Sequence, residues 1–204
     1  MWVADFLYFC KKIMTIRDAT PSDAPFLAKC VMAGLHIYDF ESEIPKDEKK
    51  FQLLTECEQR GDLLYTYRNS RVAEVDGISV GSILSYPGEF YKELRRRTFS
   101  ELLSDFATLD TDSEQETGPG EYYLDSMAVL PSYRGRGIGR ALMQDSIQHG
   151  ISLGYHKITL LVDSEMPHLI SLYSSIGFKM DGYCHAFGVD FQKMMYVNNL
   201  QQIK

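Results

Sequence analysis

The sequence predicts an α/β fold built on a mixed sheet, and two stretches of the chain carry that prediction. Residues 71–80 form two short β-prone runs around Asp76-Gly77, which is the signal of an antiparallel hairpin with a type I′ turn. Farther along, the apolar runs Glu121–Leu130 and Lys157–Val162 are separated by a helical pattern. Two strands joined by a helix predict a right-handed, parallel βαβ unit. The sheet should therefore contain both antiparallel and parallel neighbours.

Composition places the chain among ordinary globular proteins. Of its 204 residues, 45% are hydrophobic and 24% are charged, and this length suits one domain with a substantial core. The net charge of −7 argues against nucleic acid or an anionic membrane as the partner, and no apolar run is long enough to span a membrane. The five histidines and four cysteines show no metal-ligand spacing. We therefore expect no metal, and reduced thiols in a cytoplasmic protein.

Residues 1–13 differ from the chain that follows them. Their apolar side chains are interrupted by Asp5 and followed by Lys11-Lys12, whereas a signal peptide carries its positive charge before the apolar run. Two interpretations stay open: an extension upstream of the domain, or an amphipathic segment that packs on it. The folded domain is expected to begin with a strand over Met14–Arg17.

Two helices should follow this first strand. Thr20-Pro21-Ser22-Asp23 is close to a capping box, with proline at the first helical position. The helix after it presents one apolar face, formed by Leu27, Cys30, Val31, Gly34 and Tyr38. Ile44-Pro45 breaks the pattern, and a second helix is predicted over Lys46–Arg60.

The segment between the hairpin and the central strand is long. The second hairpin strand should end at Tyr86, and Glu89 to about Leu109 is predicted to be helical, with the basic run Leu94–Arg97 on a solvated face. From Glu101 to Glu121 the chain carries seven acidic residues and no Lys or Arg. Long insertions are often functional, and this one favours a cationic ligand.

A basic, glycine-rich loop follows the central strand Glu121–Leu130 and opens a helix. Such a loop can hold phosphate, because glycines let the backbone come close and the first N–H groups of the helix point at the anion. The chain has no P-loop, and a dinucleotide fingerprint from Gly137 would need a small residue where Leu142 stands. The loop instead has the spacing R-x-x-G-x-G, in Arg134-Gly135-Arg136-Gly137-Ile138-Gly139.

Helices and strands alternate through the remaining chain. A helix from Gly137 to about Leu153 leads to the strand Lys157–Val162, and another helix begins at Pro167. That helix carries an apolar row and is closed by Gly177-Phe178; the row consists of Leu169, Leu172, Tyr173 and Ile176. Strands near residues 178–183 and 191–197 should complete the sheet.

The R-x-x-G-x-G loop, followed by Leu172-Tyr173 and then Gly177-Phe178, resembles two motifs of the GNAT superfamily of N-acetyltransferases. The resemblance covers most of residues 14–197 and is strongest over residues 124–178. It implies a three-layer α/β/α fold, with a mixed sheet of six to seven strands and helices on both faces. It also implies one domain over residues 14–204, with residues 89–120 as an insertion. The sequence departs from the family at Met166, where an asparagine that contacts the pantetheine arm is common.

The resemblance implies that acetyl-CoA is bound as co-substrate. Backbone groups of Met127, Ala128 and Val129 would pair with the pantetheine arm, and the Met127 N–H would polarise the thioester carbonyl. The loop would hold the pyrophosphate through backbone N–H groups, and its arginines would add positive charge. The residues concerned are Arg134, Gly135, Arg136, Gly137, Ile138, Gly139 and Arg140.

Catalytic and acceptor-binding roles are implied in the same way. Tyr173 stands where the family often places its general acid. Strand alternation predicts that Tyr123, Asp125 and Met127 share one face, so Asp125 is the first candidate for the general base. Glu121 and Tyr123 are the alternatives for the base and candidate substrate-binding residues, and Tyr38 is expected over the acceptor site.

The expected function is acyl transfer from acetyl-CoA to a primary amine, by direct attack in a ternary complex. The acceptor would be a small molecule or a peptide amine, and the acidic stretch before residue 121 favours a cationic one. The alternative is a CoA-binding sensor or regulatory domain on the same fold, without turnover. The protein is expected to be a monomer or a homodimer.

Overall fold

The computed structural model describes residues 13–102, 115–186 and 189–198. Residues 1–12 of the predicted N-terminal extension and the middle of the predicted insertion lie outside the described residues. Within the described part of the chain, no helix is long and apolar enough to cross a membrane.

Seven strands of the described part of the chain form one sheet. Their bounds are Met14–Asp18 (β1), Ser70–Val75 (β2), Ile78–Pro87 (β3), Glu121–Val129 (β4), Lys157–Asp163 (β5), Lys179–Ala186 (β6) and Val189–Val197 (β7). The order across the sheet is β1-β2-β3-β4-β5-β7-β6, and β4–β5 is a parallel pair among otherwise antiparallel neighbours. The structure thus confirms the mixed sheet. The predicted hairpin turn is also present, with Asp76 and Gly77 both at positive φ.

In the described ranges, five α-helices cover the two faces of this sheet. They are Ala24–Gly34 (α1), Glu48–Gln59 (α2), Tyr91–Leu102 (α3), Ile138–Ser152 (α4) and Pro167–Ile176 (α5). One core cluster joins α1, α2 and α3 to Leu84 and Tyr86 of β3. A second cluster joins α4 and α5 to Ile83 of β3 and to β4 and β5. Because neighbouring residues of β3 point to different clusters, the fold is the predicted three-layer α/β/α arrangement.

The predicted capping box is confirmed, at the start of the 3₁₀ turn Pro21–Asp23 that leads into α1. The Asp23 carboxylate accepts hydrogen bonds from the Thr20 backbone N–H and hydroxyl, both at 2.8 Å, and is paired with Arg17 at 2.8 Å. The helix ends at Gly34, however, so the prediction that Tyr38 continues its apolar face is wrong. Ser126 of β4 lies against Gly34, and His36 then adopts a positive φ that a helix cannot continue.

The basic run in α3 is not uniformly solvated, as the sequence had suggested. Arg96 is exposed, but Arg95 is only 1% exposed and lies over the ring of Phe99, with its guanidinium carbon 5.2 Å from the ring centroid. Tyr91 lies one turn earlier on the same helix, 6.0 Å from that guanidinium. The structure therefore corrects the prediction for Arg95, which carries a buried positive charge beside the first core cluster.

Candidate active site

A cavity opens where β4 and β5 separate. The two strands pair only through residues 121–123 and 157–159, whereas β5 goes on pairing with β7 along its whole length. Beyond this short ladder lies a cavity of about 500 Å³. Residues 124–127 of β4 and 160–163 of β5 line it, and Tyr173 of α5 lines it as well. The carboxyl ends of neighbouring parallel strands are a usual position for a ligand site.

A β-bulge in β4 changes the direction in which its side chains point next to this cavity. Ile83 pairs with Met127 and Ser85 with Leu124, so two β4 residues, Asp125 and Ser126, stand opposite one residue of β3. The extra residue breaks the alternation: the ring of Tyr123 packs with the first core cluster, but Met127 packs with the second. The prediction that Met127 shares a face with Tyr123 and Asp125 is therefore wrong. Bulges often re-aim side chains next to active sites.

Asp125 lies at the bulge and lines the cavity. Its carboxylate accepts a hydrogen bond from the Tyr86 hydroxyl and another from Ser126 Oγ at 2.6 Å. Burial and the nearby charge of Glu116 raise the pKa of Asp125 to about 7, against the opposing effect of these hydrogen bonds and of the Arg95 charge. A carboxyl group that titrates near neutral pH can take up a proton during a reaction.

A second carboxylate, Glu116, reaches the same cavity from the predicted insertion. It accepts hydrogen bonds from the hydroxyls of Tyr91 at 2.5 Å and Tyr123 at 2.8 Å. The sequence predicted a role for the acidic stretch, but the one residue singled out in it was Glu121 and not Glu116. Nothing in the local sequence distinguishes Glu116 from the other six acidic residues of this stretch. Only the fold shows that Glu116 points into the cavity.

Glu58 of α2 is a third carboxyl group near this site, and the sequence analysis missed it. Its side chain is fully buried, and neither of its oxygens has a hydrogen-bond partner among the described residues. Burial, with a smaller effect of the Asp125 charge, raises the pKa of Glu58 to about 8. Glu58 is therefore protonated and uncharged at neutral pH.

Replacing Glu58 by Gln should make folding stability less dependent on pH. The folded-state pKa of Glu58 lies above its ordinary value of 4.5, so the folded protein holds this proton more tightly than the unfolded chain. Its contribution to stability is complete below about pH 4.5 and is lost as the pH rises through about 8. Between pH 5.5 and 8.5, we expect the Tm of Glu58→Gln to fall several degrees less than that of the parent protein.

The matched control for this experiment is Glu56→Gln, on the exposed side of the same helix. Its Tm should follow the parent protein at every pH. Equal pH dependence in Glu58→Gln and in the parent protein would show that Glu58 is ionised in the folded state.

Tyr173, the predicted general acid, lines the cavity from α5. Its ring packs against Phe178, with the ring centroids 6.3 Å apart. Burial raises the pKa of Tyr173 to about 12, so its hydroxyl stays protonated across the neutral range. Met166, the residue that departs from the family pattern, lines the same cavity.

The structure does not bring Glu121 or Tyr38 to the cavity. Both oxygens of Glu121 lie 2.9 Å from Lys193 Nζ. Burial would raise the pKa of Glu121, but the hydrogen bonds from Lys193 and from neighbouring threonines outweigh burial and lower it. Tyr38 is buried in the first core cluster, and its hydroxyl donates to the carbonyl of Ser42; the cavity is lined by His36 instead. Tyr123 does line the cavity.

The loop between β4 and α4 has the backbone of an anion site. Gly135 and Gly137 have φ values of +73° and +81°, and Gly137 directly precedes the first residue of α4. The first bond along the helix runs from the Ala141 N–H to the Gly137 carbonyl at 3.0 Å. In the described chain, no N–H of residues 135–140 donates to a backbone carbonyl, so these groups are available to a phosphate.

The surroundings of this loop also fit a phosphate-bearing ligand. A Cβ placed on Gly135 or Gly137 would meet nothing within 4 Å, so the approach to the N–H groups is open. The three arginines are held at the rim of the loop by neighbours: Arg134 by Asp39 at 2.7 Å, Arg136 by the Ser132 carbonyl at 2.8 Å, and Arg140 by Ser175 Oγ at 2.5 Å. Within the described residues, no group of three or more His, Cys, Asp or Glu side chains is arranged for a metal ion.

Comparisons with known proteins found a family model that matches and structures with a similar fold. The model of the acetyltransferase (GNAT) family matches residues 35–178. A crystal structure described as that of an acetyltransferase is 28% identical, with a TM-score of 0.71 over 90% of this chain and 98% of the other. A putative acetyltransferase from Salmonella typhimurium, solved with its cofactor acetyl-CoA, has a TM-score of 0.57 at 19% identity, over 91% of this chain and 94% of its own.

One curated relative also matches. An uncharacterized protein of Mycobacterium leprae (strain TN) is 38% identical over 78 residues, which are 36% of this chain. The matched part is 21% of the relative, so the chain spans about a fifth of the length of the curated relative it matches.

Proposed function

The chain belongs to the acetyltransferase (GNAT) family, and on that premise we propose that it transfers an acetyl group from acetyl-CoA to the nitrogen of a primary amine. One observation carries the proposal. A carboxyl group that titrates near pH 7, Asp125, lines the cavity where β4 separates from β5, and the anion loop follows directly on β4. This arrangement suits a CoA-dependent transfer to an amine, because a base whose pKa lies near the working pH can remove the proton of the amine beside a loop that can bind the phosphates of CoA.

The loop and the start of α4 would hold the cofactor. The N–H groups of residues 135–140 are free to bind a pyrophosphate, and the three arginines add positive charge around it. Backbone groups of residues 127–129 would pair with the pantetheine arm in the gap that β5 leaves. When bound, acetyl-CoA supplies the activated acyl group as a thioester, and the Met127 N–H would polarise its carbonyl. Met166 would contact the arm only through apolar atoms.

Asp125 and Tyr173 would carry the two proton transfers. The amine nitrogen forms a bond to the acyl carbon in a ternary complex, and the Asp125 carboxylate takes up the proton that this nitrogen loses. The sulfur leaves with the bonding electron pair and receives its proton from the Tyr173 hydroxyl. The raised pKa of each side chain fits its role, because Asp125 exchanges a proton near neutral pH and Tyr173 is protonated when the sulfur leaves.

The proposal is tested by measuring CoA release with DTNB across a panel of primary amines, with mass spectrometry of the products. We expect CoA release that depends on the amine and an equal amount of N-acetylated amine. Binding of acetyl-CoA without turnover of any amine would instead support the alternative, a sensor or regulatory domain on this fold.

Tyr173→Phe should lower kcat about ten- to a hundredfold, because the departing sulfur loses its proton donor while the aromatic packing remains. The KM for acetyl-CoA should change little. Steady-state kinetics with one amine checks this, and Tyr183→Phe, on the exposed strand β6, is the matched control. An unchanged kcat in Tyr173→Phe would assign that tyrosine to packing alone.

A further inference from the structure

The charges at the cavity lead to an inference about the acceptor, which rests on the proposed function. Asp125 and Glu116 both line the cavity and are held by hydroxyls of the neighbouring residues Tyr86 and Tyr91, whose rings stack with centroids 6.4 Å apart. The buried Arg95 lies 6.0 Å from the Tyr91 ring centroid, and its charge lowers the pKa of Asp125. The cluster therefore contains two carboxylates and one guanidinium.

The other ionisable groups near the cavity do not belong to this cluster of charges. Glu58 is protonated below about pH 8. Lys50 lines the cavity but is paired with Asp47 at 3.1 Å. Asp163 also lines the cavity, but it lies one strand away, where its carboxylate accepts the N–H of Glu165 at 2.8 Å. When Asp125 is ionised, above about pH 7, the cluster of Asp125, Glu116 and Arg95 therefore holds one negative charge in excess.

The wall around these charges is apolar. It is formed by three buried side chains: Leu54 of α2, Phe99 of α3, and Tyr65 from the chain between these helices. A single ammonium group placed between the two carboxylates would bring the cluster to neutrality. A second ammonium would have to leave water for the apolar wall, where no carboxylate of the cluster remains to pair with it.

We infer that the acceptor is a small primary monoamine with an apolar body, and that Glu116 is the residue that binds its ammonium group beside Asp125. Glu116 anchors the incoming ammonium group, which gives one proton to solvent to become the attacking amine, and Asp125 takes up the second proton, which the nitrogen loses as its bond to the acyl carbon forms. The specificity of the site follows from its charge balance: one excess negative charge selects one positive charge. The apolar wall holds the body of the amine.

Two acceptors of equal chain length test this inference, pentylamine with one ammonium group and cadaverine with two. With acetyl-CoA as donor, we expect kcat/KM for pentylamine to be at least about tenfold higher, since the second ammonium loses its hydration. Titration calorimetry of both amines into the protein saturated with CoA gives the same comparison without turnover. Equal or better binding and turnover of cadaverine would overturn the inference.

Glu116→Gln tests the assigned residue. Removing one charge leaves the occupied site with a net positive charge, so KM for pentylamine should rise roughly ten- to a hundredfold, the loss expected for a hydrogen bond to a charged group. Because the Glu116 charge raises the pKa of Asp125, the pH midpoint of kcat/KM near 7 should also move to lower pH. Glu93→Gln, on the exposed face of α3, is the control and should match the parent protein.

The outcomes separate this inference from the proposed function. If acetyl-CoA does not bind, or no amine is acetylated, the proposed function fails and the inference fails with it. If amines are acetylated but Glu116→Gln leaves both KM and the pH midpoint unchanged, only the inference about Glu116 is overturned.

Discussion

Gly137→Glu is expected to weaken acetyl-CoA binding at least about a hundredfold. Gly137 immediately precedes the first turn of α4, where free N–H groups and the positive end of the helix dipole would meet the pyrophosphate. A carboxylate at this position competes for those N–H groups and repels the phosphates. Losing one charge-assisted contact and adding repulsion amounts to roughly 3 kcal/mol, which is about a hundredfold in Kd. Titration calorimetry with acetyl-CoA measures the change.

Gly154→Glu is the matched control for this substitution. Gly154 lies just beyond the other end of the same helix, is exposed, and has a φ of +95°, close to the left-handed backbone of Gly137. An added Cβ meets nothing within 4 Å at either position, so both variants carry the same left-handed strain without a clash. Their Tm values should therefore be similar, while acetyl-CoA affinity falls only in Gly137→Glu. Equal affinity in the two variants would place the cofactor elsewhere.

Asp125→Asn should lower kcat/KM for the amine by about 10² to 10⁴ at pH 8, the usual range for loss of a general base. Asparagine keeps the shape of the side chain and can still accept hydrogen bonds from Tyr86 and Ser126. Affinity for acetyl-CoA should not change, because Asp125 lies at the bulge in β4 and is not part of the loop between β4 and α4 that would hold the cofactor. Asp190→Asn, at an exposed aspartate on β7, is the control. Full activity in Asp125→Asn would mean that water alone removes the proton.

The same variant should be more stable than the parent protein at high pH. The pKa of Asp125 is raised from 3.8 to about 7 in the folded state, so the folded protein loses stability as the pH rises between these values. Asparagine does not ionise and avoids this loss. A higher Tm together with lost turnover would mark Asp125 as a residue kept for activity rather than for stability.

The strands and helices outside the insertion could be predicted because each rests on a local signal. The turn at Asp76-Gly77, the cap at Thr20–Asp23 and the apolar run of β5 each specify their own backbone. The parallel connection of β4 to β5 followed from the helix between them. These features gave the layers of the fold without knowledge of long-range contacts.

The part of the cavity that would bind the acceptor could be predicted only in part from the sequence, because its chemistry depends on contacts between distant segments of the chain. The bulge at Asp125 arises from pairing with β3, and strict alternation along β4 gave the wrong face for Met127. Glu58 and Arg95 lie on helices whose other charged residues are mostly exposed, and their burial depends on how α2 and α3 pack. No spacing in the sequence distinguishes them from their solvated neighbours.

The most direct test of the assigned chemistry is the pH dependence of kcat/KM, measured between pH 5.5 and 9 for the parent protein and for Asp125→Asn. A base must be ionised to act, so activity of the parent protein should fall below a midpoint near the Asp125 pKa of about 7. That midpoint should be absent from the residual activity of Asp125→Asn. The same midpoint near 7 in both proteins would contradict the assignment of Asp125 as the base.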